Sequence, residues 1–411
     1  MLTRLLSFVT VKSPEFLLLL MASAVPLSFA TWMALLDNFA VHSANFTGRE
    51  IGILQSLREV PGFLAFLIIY VLLIIREQRL AILSLLLLGV GTAITGFFPY
   101  ATGLYICTVL MSIGFHYYET LQTSLTLQWI EKERTAETLG RIIAVGSFSG
   151  LIAYALVYVT SKQFNLSLTW IYLAAGAATI LIALVAWRSF PMYPQRVTQH
   201  KHIVLRQRYW LYYALTFMSG ARRQIFIVFA GFLMVEKFGF DVSDIALLFL
   251  ANALLNIFLA PRIGRLVGRI GERSALLLEY TGLIFIFTAY AFVDSASVAA
   301  GLYILDHLFF AMAIAIKTYF QKIADERDIA STAGVSFTIN HIAAVFLPVV
   351  LGLIWLTSPA AVFLAGAGMA LISLLLSCLI PKNPTPGNEV ITTITNLPRL
   401  TRSASSQSGN S

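Results

Sequence analysis

Charge is scarce in this 411-residue chain: Asp, Glu, Lys and Arg together make up 12%, against about 25% in soluble domains. Cysteine is scarcer still. Cys107 and Cys378 each lie inside an apolar run, where a thiol behaves as a small hydrophobe. This pattern excludes a disulfide-built scaffold, and the apolar excess excludes intrinsic disorder. No glycine-rich loop runs into Lys and Ser or Thr, which leaves nucleotide-driven pumping without support. No enzyme constellation is present. Among the six histidines only His200-x-His202 has metal-ligand spacing, in a polar loop, so neither metal nor cofactor is expected. What abounds is apolar: 58% of residues, with a mean hydropathy of +0.81. A soluble domain buries only about 75% of its surface, too little to hide this much. The apolar residues suffice for about twelve spans of about 20 residues. The composition is that of a polytopic membrane protein.

The apolar runs predict spans at residues 16–36, 51–75, 80–98, 101–128, 138–160, 167–187, 209–235, 244–267, 274–293, 298–320, 331–356 and 359–380. With the N-terminus in the cytoplasm, only Arg49, Lys162 and Lys237 of the 28 basic residues fall in outside loops. Arg58, Arg222, Arg223 and Lys317 fall within spans, and all the others lie inside. Such a bias is the positive-inside pattern of an even number of spans with both termini cytoplasmic. The net charge of +8 is therefore a topology signal, and nucleic acid is not an expected partner. Arg4 and Lys12 before Leu27-Ser28-Phe29-Ala30 imitate a secretory signal, but the apolar run continues through Trp32 to Leu36 and reads as a first helix kinked at Pro26. Residues 381–411, rich in Pro, Ser, Thr and Asn, read as a disordered cytoplasmic tail. Asn45-Phe46-Thr47 and Asn165-Leu166-Ser167 are glycosylation sequons on outside loops.

A basic loop at residues 190–208 divides a bundle at 1–189 from a second at 209–380. The two echo each other. Glu50-Ile51 and Asp244-Ile245 open corresponding spans 194 residues apart, as do Arg79 and Arg273. Gln128-Trp129-Ile130 with Glu133-Arg134 answers Gln321-Lys322-Ile323 with Glu326-Arg327 at an offset of 193. Two parallel six-span repeats are the architecture in which bundles rock about a midplane site.

Gly264-Arg265-Leu266-Val267-Gly268-Arg269-Ile270-Gly271-Glu272-Arg273 resembles the signature loop of the major facilitator superfamily, G-x-x-x-D-[RK]-x-G-x-[RK], with Gly268 at the aspartate position. The first-half copy is reduced to Ile75-Arg76-Glu77-Gln78-Arg79. The resemblance implies an all-α integral membrane fold of twelve transmembrane helices in two six-helix bundles. It further implies a cavity lined by helices one, four, seven and ten, and a gating role for Gly264, Arg265, Arg269, Gly271 and Arg273. The fifth span carries Gly146 and Gly150 without the proline-containing glycine run of drug/proton antiporters. The fourth lacks the arginine that many proton-coupled members carry.

Ionisable groups inside spans cost about 2.5–3.5 kcal/mol each at mid-bilayer, so they mark function. At 100° per residue, Tyr303, Asp306, Phe310, Lys317 and Gln321 form one stripe bordered by His307. Tyr105, Ser112, Glu119 and Thr126 form another at strict sevens, flanked by His116 and Thr123. Arg222-Arg223 in the seventh span read either as a fork for a carboxylate or phosphate, or as a buried ion pair with Glu119 or Asp306. Glu119, Asp306 and His307 are candidate proton carriers, or else counter-ions for Arg222, Arg223 and Lys317. Arg58-Glu59, toward the outer side of the second span, read as a gate or local ion pair. Asn252, Asn256, Asn340-His341 and Trp32 are further candidates for substrate binding or helix packing, and Glu279 is expected to pair with Arg265 or Arg269. Together these predict a monomeric secondary transporter of the cell membrane that moves a small organic anion or zwitterion by alternating access, coupled to protons. Efflux of amphipathic drugs, through Phe115, Tyr117, Tyr118, Phe309 and Phe310, is one alternative. A non-transporting sensor or scaffold is another.

Overall fold

The computed structural model describes residues 12–130, 132–194, 205–325 and 329–391. Among them the chain forms twelve helical rods. These are α1 (Pro14–Asn38, prolonged by a π turn over Phe39–Ser43), α2 (residues 48–71), α3 (Glu77–Thr95), α4 (Ala101–Trp129), α5 (Lys132–Lys162) and α6 (Leu168–Ser189). After the basic loop come α7 (Gln207–Glu236), α8 (Val242–Ile270), α9 (Glu272–Ala291), α10 (Ala296–Ile323), α11 (Ile329–Trp355) and α12 (Pro359–Cys378). Ten are long and apolar enough to cross a membrane. The other two are α2, interrupted by a 3₁₀ turn at Leu64–Leu67 just after Pro61, and α4, which is studded with polar residues.

Local chemistry sets the helix starts. Ser13 caps α1 by accepting the Phe16 amide, and Pro14 takes the first helical position, where its missing N–H costs nothing. Thr47 and Glu50 form a capping box on α2, and Asp241 and Asp244 form the matching one on α8. These boxes account for the 194-residue echo of acidic residues. Gly271, at φ +80°, makes the one-residue turn between α8 and α9. The asparagines of both sequons, Asn45 and Asn165, hold left-handed turns at φ 54° and 47°, a conformation asparagine tolerates better than most residues.

Packing repeats as the sequence does. In the first half α3 packs on α4 and α6, α1 on α5 and α6, and α2 on α4. In the second, α9 packs on α10 and α12, α7 on α11 and α12, and α8 on α10. Glu77 of α3 accepts from Gln128 at the end of α4 at 2.7 Å, while Glu272 of α9 pairs with Lys322 at the end of α10 at 2.7 Å. Both described chain ends lie on one side of the bundle, here the near side. There the Tyr193 hydroxyl donates to the Lys12 carbonyl and the Tyr319 hydroxyl to the Glu389 carbonyl.

Boundaries shift from the sequence reading by a few residues in several helices, α5 beginning at Lys132, and three differences bear on the site or the ends. The first helix runs past Leu36: its regular part continues to Asn38 and so includes Asp37, and a π turn then prolongs it to Ser43. The seventh begins at Gln207. The segment expected to be a free tail folds back as far as Ile391, whose amide donates to the Leu379 carbonyl at 2.8 Å. His200, His202 and the tail beyond Ile391 lie outside the described residues.

The halves meet along two antiparallel seams, α2 against α11 and α5 against α8. On the far side the first seam is glycine on glycine. A Cβ on Gly52 would stand 2.3 Å from the Pro348 carbonyl oxygen, and one on Gly352 2.3 Å from that of Gly48. Such contact seals the far side as small residues do between membrane helices. The second seam touches at Tyr154 and Phe249, ring centroids 5.4 Å apart. Toward the near side, positions for a Cβ on Gly140, Gly146, Gly264 and Gly268 have no neighbour within 4 Å. Gly352→Leu is expected to wedge the far side open. In a chain with Cys107 and Cys378 replaced by alanine and Gln55 by cysteine, a membrane-impermeant thiol reagent added from the far side should label the Gly352→Leu variant and spare its parent.

Candidate functional site

A cavity of about 290 Å³ lies between the halves. The first half contributes Phe29, Met33, Leu36 and Asp37 from α1, Gln55 from α2 and Tyr154 from α5. The second contributes Phe226, Ile227 and Gly231 from α7, Phe249, Asn252, Ala253 and Asn256 from α8, and Tyr303 and His307 from α10. The repeat is visible in the wall: Met33 and Ile227, Asp37 and Gly231, and Gln55 and Phe249 are each 194 residues apart and all line the space. Asp37 is its carboxylate. The amide nitrogen of Asn252 and the Oε1 of Gln55 have no protein partner, so polar groups are left for a solute. Aromatic faces do the rest: Phe226 stacks on Tyr303 at 4.7 Å, and Phe249 on Tyr303 at 5.9 Å.

A smaller pocket of about 90 Å³ adjoins it, sharing Phe226, Ile227 and His307. Its polar wall is Arg222, Arg223 and Asp306. Arg222 pairs with Glu279 of α9 at 2.9 Å, both side chains at 1% exposure or less, and lies over the Tyr280 ring at 4.7 Å. This corrects two expectations. Glu279 does not pair with Arg265 or Arg269, which are exposed on α8 away from it, and the partner of Arg222 is neither Glu119 nor Asp306. Arg222 still has Nε and Nη1 without a protein partner, and Arg223 has Nε, although its Nη2 donates to Asn340 at 3.1 Å.

A third group sits half-way along α2, α4, α7 and α11. Arg58 and Glu59 form the local ion pair of the sequence reading, at 2.5 Å, but in the middle of α2 rather than toward its outer end. Across the seam His341 of α11 faces Glu59 at 3.5 Å, and His116 of α4 stands beside both. The Ser112 hydroxyl donates to the Arg58 carbonyl.

Other predicted residues are scattered. Trp32 is fully buried in apolar packing and absent from both pockets. Glu119, Thr123, Lys317 and Gln321 are exposed on the near-side halves of α4 and α10. Lys317 leaves the stripe of Asp306 because a 3₁₀ turn at Ala311–Ala313 interrupts α10; at about 120° per residue it rotates the rest of the helix by about 60°. Gly264, Arg265, Arg269, Gly271 and Arg273 occupy the near-side end of α8 and the start of α9, remote from the cavity. Of the helices the resemblance implied, one, seven and ten line the main cavity. The fourth stands behind, its Phe115 stacked on Phe29 at 4.1 Å. Of the aromatics named for efflux, Phe310 borders the small pocket, while Phe309 packs against Gly282. Sequence reasoning missed Asp37, Tyr154 and Phe249. The apolar Phe39-Ala40-Val41 after Asp37 was a usable signal that the helix continues; for the two aromatics there was none.

The family model described as Major Facilitator Superfamily matches residues 17–348 and 216–402. The chain belongs to that superfamily: it is a multi-pass membrane transporter. No curated protein sequence matches it. Among solved structures, it resembles the nucleoside transporter NupG at 15% identity and a TM-score of 0.71, over 89% of this chain and 98% of that one. It also resembles a bacterial homolog of the human lysosomal transporter Spinster, in an inward-facing and unoccupied conformation, at 13% identity and a TM-score of 0.73, over 92% and 98%. At such identities the likeness is one of fold.

Breaking the Arg222–Glu279 pair from one side strands a buried charge. Glu279→Ala should cost about 3–5 kcal/mol, whereas Arg222→Met combined with Glu279→Leu should recover most of that loss. Thermal unfolding of the purified variants in detergent measures both.

Proposed function

We propose that this transporter carries a small zwitterionic solute by alternating access between its two halves, coupled to protons. The observation that carries the reading is the pair of adjoining pockets. One end holds the carboxylate of Asp37; the other holds Arg222 and Arg223, with unpartnered nitrogens, beside Asp306. A solute with a cationic and an anionic group satisfies both ends, while Asn252, Asn256 and Gln55 supply hydrogen bonds and the aromatic wall excludes water between them. A fixed guanidinium is suited to a carboxylate or phosphate because its planar fork presents two N–H donors at once. Alternating access is supported by the far-side glycine seam and by the open space beside the near-side glycines of α5 and α8.

A thermal-shift screen of purified protein, followed by uptake into proteoliposomes, tests this. A zwitterion is expected to stabilise the protein, since a ligand stabilises the state it binds. Asp37→Asn and Arg223→Gln should each weaken that ligand by about tenfold, the equivalent of about 1.4 kcal/mol. Stabilisation by monoanions alone, indifferent to Asp37→Asn, would return the substrate to the plain organic-anion class. Ligands that are amphipathic cations would replace the reading by efflux.

A further inference from the structure

Glu59 and His116 belong to the first half and His341 to the second, yet their carboxylate and ring donor atoms all lie within 4.8 Å of one another, buried half-way along their helices. Gly62 makes this possible: a Cβ there would stand 2.5 Å from the Cδ2 of His341 and 2.8 Å from the Cε1 of His116. The orientation of His341 is fixed. Its Nδ1 lies 2.8 Å from the Phe337 carbonyl, and since a carbonyl only accepts, Nδ1 carries the hydrogen. In the neutral ring Nε2 is then bare, and it faces Oε2 of Glu59 at 3.5 Å. Two lone pairs oppose each other across the seam between the halves. What is missing between them is one proton.

The surrounding charge is balanced before that proton arrives. Arg58 holds the other oxygen of Glu59 at 2.5 Å, Arg223 approaches from α7, and Glu119 of α4 lies within electrostatic range of Arg223. His116 completes the set of titratable neighbours, with its Nδ1 unpartnered. A divalent metal fits poorly where two guanidiniums already stand. A single proton held between a ring nitrogen and a carboxylate oxygen suits the gap.

We propose that the gap between His341 and Glu59 is the proton-binding site that couples protons to the rocking of the two halves; this rests on the alternating-access reading above. Protonated His341 donates from Nε2 to Glu59 and ties α11 to α2, holding the halves in the arrangement sealed on the far side. When that side opens, α11 moves off α2, the ring loses its acceptor, and the proton leaves. Proton binding and the sealed state are thus linked, each favouring the other. Asp306 and His307 do not have this property: both are on α10, beside α7 of the same half.

The full chain, with Cys107 and Cys378 replaced by alanine and spin labels at Gln163→Cys and Ser297→Cys, is reconstituted without substrate. Distances between the labels then report the far side. Lowering the pH from about 8 to about 5.5 should raise the ratio of sealed to open molecules about tenfold. His341→Gln should show both distances but no pH response, and its thermal unfolding verifies that it is folded. A wild type with no pH response, or a His341→Gln variant that keeps it, overturns the proposal. The measurement needs no solute, so it stands apart from the transport reading, which fails separately if proteoliposomes take up no zwitterion. Where uptake is found, a pH gradient should accelerate it in the wild type and leave His341→Gln unaffected.

Discussion

Two apolar helices in a bilayer gain nothing by expelling water from between them, so what joins them must be close packing or polar contact. The association of α2 with α11 supplies both. Far-side glycines let the backbones touch, and half-way along, where the seam would otherwise be featureless, Glu59 meets His341. The space between the halves depends on this seam. It brings the walls of the cavity to face each other, and it keeps Arg58, Glu59 and Arg223 away from lipid.

Burial of charge follows a division of labour. Arg222 and Glu279 join α7 to α9 within the second half, in a site so dry that separating them would leave an uncompensated ion. Arg58 and Glu59 neutralise each other on one helix and present a single carboxylate oxygen across the seam. The first pair makes a half rigid. The second leaves the junction between halves with a contact weak enough to be broken and remade.

Much of this was legible in the sequence because a membrane simplifies the pattern. Scarce charge and alternating basic loops gave the helices and their order, and the acidic residues 194 apart proved to be the third residues of two capping boxes. What was not legible came from where a helix ends and from departures from regular geometry. The regular part of α1 continues beyond Leu36 to Asn38 and places Asp37 in the cavity wall, and a 3₁₀ turn in α10 rotated Lys317 away from Asp306. Partners were also hidden, since a helical wheel states which face a residue occupies but not which helix it meets. Glu279 lies a turn or two into α9, within easy reach of Arg265 by sequence, yet packing turns it to α7.

The repeat and the site obey opposite rules. Where the repeat is kept, as in the two capping boxes, the residues hold the scaffold together; Glu77 with Gln128 and Glu272 with Lys322 tie corresponding helices, although not at matched positions. Where it is broken, the residues face the space between the halves. Asp37 corresponds to Gly231, Arg58 to Asn252, and Arg223 to Phe29. These substitutions fit one another. A Cβ on Gly231 would stand 2.5 Å from Oδ2 of Asp37, so the carboxylate of one half occupies room that the other half gives up. A symmetric pair of carboxylates there would repel, and a symmetric pair of glycines would bind nothing. The repeat therefore accounts for the likeness of the two bundles, and asymmetry at matched positions accounts for a cavity with distinguishable ends, Asp37 at one and the two arginines with Asp306 at the other.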